Sequence, residues 1–243
     1  MWILTGISVF SFVNVLIYRI PRKLGFVNGR SICPFCSHTL SAADLIPVFG
    51  YLCLGGNCRY CGHAISPRYM AVELLGGGAG GLCYLIWGNS WMSALELTFF
   101  ALMTAVSLID ADTLEIPDGL VLSLLALGLL KLALSGGEWL YFLIGTFSVS
   151  LPMLLIAFVV KDAFGGGDIK LMAAGGMFLG IRFCLLSWLL ATLLGGIYGI
   201  WLIVVLKRSK KQRFAFGPFL CIGMAVSNCW GELLLSWYFG LFQ

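Results

Sequence analysis

Charge is what this chain has least of. Its 243 residues include 11 acidic and 15 basic side chains, so charged residues make up 11% of the sequence, against roughly 25% in an ordinary soluble domain. That shortage excludes a solvated globular enzyme. Also missing is the single short apolar region, followed by a polar mature domain, that marks a secretory signal; no cleavable address is expected. The glycine run GGGD at 165–168 has neither the G-x-x-x-x-G-K-[ST] spacing of a phosphate loop nor a dinucleotide fingerprint. What the chain has instead is apolar length: 60% hydrophobic residues and a mean hydropathy of +0.98, in runs long enough to span a bilayer of roughly 30 Å. It reads as an integral membrane protein, all-α, a polytopic helix bundle.

Eight spans are expected, near 2–18, 69–88, 91–110, 119–135, 139–160, 168–181, 183–206 and 216–240. The sixth and seventh fused would be far too long for one crossing, and Arg182 marks a break. Lys and Arg accumulate in short cytoplasmic loops. With the N-terminus outside, Arg19, Arg22, Lys23, Arg30, Arg59, Arg68, Lys161, Lys170, Lys207, Arg208, Lys210, Lys211 and Arg213 face the cytoplasm, leaving only Lys131 and Arg182 outside. The net charge of +4 is therefore an orientation signal. The basic run at 207–213 reads as a loop touching anionic lipid, so lipids are expected as partners and nucleic acid is not.

The one long polar insertion, 19–68, carries CPFC at 33–36 and CRYC at 58–61. Two C-x-x-C pairs can turn four thiolates, Cys33, Cys36, Cys58 and Cys61, onto one tetrahedral zinc, and metal binding would supply folding energy that a loop with few large apolar residues lacks. Four sulfurs leave no position open for substrate, so the role is structural. Disulfides or free thiols are the alternative, and a reducing cytoplasm disfavours the former. His38 and His63, beside the knuckles, read as exposed polar residues or as donors supporting the ligands. Cys53, Cys83, Cys184, Cys221 and Cys229 carry no functional expectation.

Two acidic clusters remain. DADTLEIPD at 110–118 packs Asp110, Asp112, Glu115 and Asp118 at the end of an apolar run, and GGGDIK at 165–170 delivers Asp168 behind three glycines. Carboxylates at membrane depth are costly and mark polar pathways or reactive sites. Pro117 cannot continue a helix, so the chain must leave helix between Asp110 and Asp118. Two carboxylates from different spans meeting at the cytoplasmic face would share one proton; the ionised one takes a proton from water and the protonated one polarises a carbonyl, which is aspartyl proteolysis. Solvated helix-end anchors are the bland alternative, with Asp118 a cap for the fourth span. A Mg²⁺ site of Asp110, Asp112 and Asp118 in a membrane phosphotransferase is another, and a non-enzymatic transporter or assembly factor a third. Spacing alone does not separate them.

These segments together resemble the bacterial type IV prepilin peptidases, membrane aspartyl proteases of the GxGD class. The resemblance runs through SFVNVLIYRIP at 11–21, both C-x-x-C pairs, CRYCGHAISPRYMAVELL at 58–75, DADTLEIPD, GGGDIKL at 165–171 and FGPFL at 216–220. It implies that Asp110 and Asp168 are catalytic, that prepilins or pseudopilins are cut on the cytoplasmic side after a leader-terminal glycine, and that the substrate's acidic residue past the cut finds partners among Arg19, Arg22, Arg59 and Arg68. It also implies a second activity of many members, N-methylation of the new terminus with S-adenosylmethionine, which the four cysteines permit. Glu73 matches a family position and contributes to a cofactor or domain interface, or pairs with Arg68. Phe10 and Met70 depart from the family pattern at positions of packing. The domains expected are a first span at 1–18, a cytoplasmic zinc-binding module at 19–68 and a transmembrane protease domain at 69–243.

Overall fold

The computed structural model describes residues 1–25, 31–136, 139–160, 164–205 and 214–241. The expected basic residues Arg30, Lys161, Lys207, Arg208, Lys210, Lys211 and Arg213 lie outside them. The described chain is helical, as expected, and its β pairing is confined to two isolated bridges. It divides into two compact units, Met1–Ala101 and Leu102–Gln243.

In the first unit, α1 (Trp2–Arg19) packs on α3 (Arg68–Trp87). Glycine sets their approach. A Cβ on Gly76 would strike the Phe10 ring and the Gly6 carbonyl, and one on Gly80 would strike the Trp2 carbonyl. Phe10 is fully buried, so this departure from the family pattern is a packing residue laid over Gly76. At the other end of the pair, buried Asn14 donates from Nδ2 to the Tyr69 carbonyl at 3.0 Å.

Between α1 and α3 lies the cysteine module, built as two copies of one knuckle. The Cys33 N–H donates to the His38 carbonyl at 2.9 Å and the Cys58 N–H to the His63 carbonyl at 2.8 Å. Each knuckle turns through a left-handed residue, Ser37 (φ 56°) or Gly62 (φ 69°), and each carries one bridge, Ile32 with Thr39 and Asn57 with Ala64. The copies exchange rings: Phe35 lies 3.3 Å from His63 and His38 lies 3.7 Å from Tyr60, centroid to centroid. A short 3-10 turn (Ala43–Leu45) and α2 (Phe49–Cys53) complete the module.

α4 (Trp91–Thr113) has neither glycine nor proline and runs from the first unit into the second. In the second unit, α5 (Asp118–Leu134), α6 (Trp139–Val159) and α8 (Gly217–Gly240) all pack against α7 (Gly166–Val204). Close approach again rests on glycine, where a Cβ on Gly176 would run into the Gly145 carbonyl of α6.

Among the described residues six helices are long and apolar enough to cross a membrane by length and composition, so the expected count of eight is not confirmed. Two features account for the difference. α5 has only 17 residues. The expected sixth and seventh spans fall on α7, which is two helices joined across a kink at Gly180 (φ 75°, ψ 175°). The interruption falls at Gly180 rather than at Arg182, because a positive φ is open to glycine and the Tyr141 ring of α6 occupies the space a side chain there would need.

Candidate active site

α4 carries Asp110 to its C-terminal end and stops three residues later. Its last residue is followed by Leu114, which adopts φ 58°, the left-handed geometry that closes many helices, more often at glycine. The Leu114 N–H donates to the Asp110 carbonyl at 2.8 Å. Thr113 Oγ1 donates to the Ile109 carbonyl at 2.8 Å and accepts from the Glu115 N–H at 3.3 Å. Pro117 then serves as N-cap of α5 in extended geometry (ψ 126°), so Asp118 is the first residue of α5 and not its cap.

Asp168 stands in the first turn of α7, whose N-cap is Gly165. Its carboxylate accepts a hydrogen bond from the Gly165 N–H, the reciprocal arrangement by which a third-position acid closes a helix start. A Cβ on Gly165 would stand 3.0 Å from Asp168 Oδ2.

The two aspartates, 58 positions apart in sequence, lie within electrostatic reach of one another. Asp110 is buried, with 5% of its surface exposed, and Asp168 half-buried. Cys221 of α8 is buried beside them: its thiol feels the charge of both and is hydrogen-bonded to the Ser107 backbone of α4. Asp110 Oδ2 accepts the Gly217 N–H at 2.9 Å. Neither Gly217 nor Cys221 is marked by residue chemistry; only the FGPFL segment hinted at that end of α8.

The loops leading from Asp110 and into Asp168 are fastened together as well. The Ile116 side chain lies where a Cβ on Gly167 would come within 3.0 Å. Lys170 Nζ meets Asp118 Oδ1 at 2.8 Å, with both side chains exposed. Asp118 is thus an ion-pair partner at the rim. Asp112 and Glu115 are exposed.

In the first unit, the sulfurs of Cys33, Cys36, Cys58 and Cys61 all lie within 4.8 Å of one another, and Cys33 and Cys61 are 4.0 Å apart. A tetrahedral ion with metal–sulfur bonds of about 2.3 Å needs sulfurs about 3.8 Å apart, so the cage fits a metal ion. His38 and His63 are exposed and outside that cluster. The Cys36 and Phe35 amides, with smaller help from neighbouring thiols, lower the Cys33 thiol to about 7, so one sulfur is prepared to bind as thiolate. At Cys61 the His63 amide acts in the same direction, but burial and the three other thiols prevail and push it up to about 11.

Arg59, inside the second knuckle, is committed to Asp44, its Nε meeting Oδ1 at 2.7 Å. Arg22 lies over the Tyr18 ring, 4.1 Å from its centroid, and donates to the Tyr18 carbonyl at 2.8 Å; Arg19 donates to the Gly25 carbonyl at 3.0 Å. Glu73 Oε2 accepts the Val48 N–H at 2.7 Å.

Two family models match the chain: the bacterial peptidase A24 N-terminal domain over residues 4–87 and the type IV leader peptidase family over residues 97–200. Among curated proteins it is similar to the prepilin leader peptidase/N-methyltransferase of Bacillus subtilis (strain 168), 30% identical over 96% of this chain and 94% of that one. The proteins of the same name from Aeromonas salmonicida (strain A449) and Pseudomonas aeruginosa are 31% and 32% identical, each over 97% of this chain and 91% of theirs. No solved structure matches it. At such identities over nearly its full length, this multi-pass membrane chain belongs to the type IV leader peptidase family.

Proposed function

We propose that the chain is a membrane-embedded aspartyl endopeptidase that removes the leader from type IV prepilins or pseudopilins, with Asp110 and Asp168 as its catalytic residues. The observation that carries this reading is the approach of those two carboxyls, delivered by the end of α4 and the start of α7. In this reading the pair holds one proton. The ionised carboxylate takes a proton from water as the water oxygen bonds to the scissile carbonyl carbon; the protonated one hydrogen-bonds the carbonyl oxygen and gives its proton as the tetrahedral adduct forms. Collapse breaks the C–N bond, and a proton passes to the leaving amine.

The cysteine cage takes zinc in this reading, in a structural role, with Cys33, Cys36, Cys58 and Cys61 as ligands. Four thiolates suit zinc, and zinc would hold the two knuckles in their paired arrangement. N-methylation of the new amino terminus, with S-adenosylmethionine as donor, is the second activity; the double name of the relatives and the retained cysteine module support it. The distribution of Lys and Arg supports an inner-membrane protein with its N-terminus outside and with module and aspartates facing the cytoplasm. Residues 1–18 then form the first span, 19–68 the zinc-binding module and 69–243 the protease domain.

Co-expression with a prepilin, read by mass spectrometry of the product, tests both activities. Asp110→Asn and Asp168→Asn should each abolish leader removal while the chain still inserts and captures substrate. Cleavage surviving either change overturns the dyad. Loss of activity on Mg²⁺ chelation, with both aspartates dispensable, would point to a metal-dependent phosphotransferase instead.

A further inference from the structure

The start of α8 is capped from outside. Its N-cap, Phe216, offers no side-chain hydrogen bond, and Pro218 has no N–H to give. The Phe219 and Leu220 amides both donate to the Phe216 carbonyl, at 3.0 and 3.2 Å. In the first turn that leaves the Gly217 N–H, and it donates to Asp110 Oδ2 at 2.9 Å in buried surroundings. A carboxylate from α4 therefore does for α8 what an N-cap side chain ordinarily does.

The contact also requires that residue 217 have no side chain. A Cβ there would stand 2.6 Å from Asp110 Oδ2, 3.0 Å from Cγ and 3.2 Å from Cβ. One turn on, Cys221 continues the same narrow face, buried against Ser107 and within reach of both aspartates. On the α4 side, 107 and 110 are one turn apart in the same way. The two helices thus meet along small groups at the carboxyl pair, and the Asp110 side chain has little room to rotate.

We propose that Gly217 is a positioning residue for the reaction: its N–H and its missing side chain hold the Asp110 carboxyl with Oδ2 engaged, so that proton transfer at Asp110 runs through Oδ1. This rests on the assignment of Asp110 as a catalytic residue. An amide fixed by the first turn of a 24-residue helix is preorganised, and orientation within a few tenths of an ångström is what such chemistry demands.

The test compares Gly217→Ala with Gly199→Ala, a change in α7 that meets open space, and with Asp110→Asn, by steady-state cleavage of a prepilin in detergent. Gly217→Ala should lower kcat at least 100-fold while KM moves less than threefold; Gly199→Ala should stay near wild type. Thermal melting of the same proteins adds a readout beyond activity. The loss of Tm caused by Gly217→Ala should shrink by more than half in the Asp110→Ala background, where the carboxyl it strikes is gone. If Gly217→Ala keeps its kcat while Asp110→Asn is dead, the positioning role falls and the dyad stands. If Asp110→Asn is active, the dyad itself falls. Should Gly217→Ala fail to fold, recovery in the Asp110→Ala background supports the proposal, and no recovery overturns it by placing the need for glycine elsewhere.

Discussion

Glu73, buried in α3, accepts a hydrogen bond from the Val48 backbone N–H at 2.7 Å, and Val48 holds φ 63°. With ψ −54° and the Phe49 N–H on the Pro47 carbonyl at 2.7 Å, Val48 is the centre of a γ-turn of the rare positive-φ kind, a strained geometry for a β-branched residue that persists only where its surroundings enforce it. Here the enforcing group is a carboxylate reaching from a membrane helix into the cysteine module. Replacing Glu73 by Ala should cost about 2 kcal/mol of stability in that region, the usual worth of a hydrogen bond to a charged group. Val48→Gly should recover about 1 kcal/mol by removing the strain of a β-branched residue at positive φ. Proteolysis rates within 31–67, followed for both variants, check the two signs; faster cutting of Val48→Gly than wild type would show that the strain is not there.

Asp44 accepts from Ser41 through the hydroxyl and the amide, and from Arg59, and these partners hold its carboxyl down at about 2. A carboxylate lowered from an unfolded value near 3.9 contributes stability at all higher pH and loses it as pH falls through its folded value. The Tm difference between wild type and Asp44→Asn should therefore be constant from neutral pH down to about 4 and close progressively towards about 2. A difference that instead closes above pH 5 would assign the effect to another group.

On the proposal that the cysteine cage holds zinc, chelation should expose the module to protease while the membrane helices keep their helical circular dichroism. The knuckles have few large buried side chains beyond Cys33 and Cys58, and metal binding in such modules is folding free energy. Cys33→Ser should reproduce the effect without chelator. Simultaneous loss of the module and of bulk helicity would mean that the two do not fold separately.

The Lys170 and Asp118 pair at the rim should matter little. An exposed ion pair is worth about 0 to 1 kcal/mol, and both partners here are well exposed. Lys170→Ala should shift Tm by a degree or two, an effect that disappears at high salt, and leave cleavage within about threefold of wild type. A hundredfold loss would move Lys170 from the rim into the chemistry.

Much of this protein was legible before any fold. The membrane class follows from composition, because a chain with so few charges has no solvated surface to offer, and the metal cage follows from the cysteine spacing, because two knuckles need only local turns to aim four sulfurs at one point. The end of α4 was also readable: Pro117 forbids helix, so the chain had to turn after Asp110. The exact place of the break in α7 was not, since a glycine within an apolar run gives no sign of whether the helix continues straight through it or, as at Gly180, breaks.

Sequence by itself determined which residue types were available for chemistry and which stretches could live in lipid, because hydropathy and metal-ligand spacing are properties of neighbours along the chain. Tertiary structure alone decided that Asp110 and Asp168 lie within electrostatic reach, that Gly217 and Cys221 stand with them, and that Glu73 takes the Val48 amide. The hydrogen bonds of Glu73 and Asp110 among them span 25 and 107 positions. They arise where helices lacking side chains at the crossing let backbones touch, and nothing in the local sequence says which glycine will face which helix.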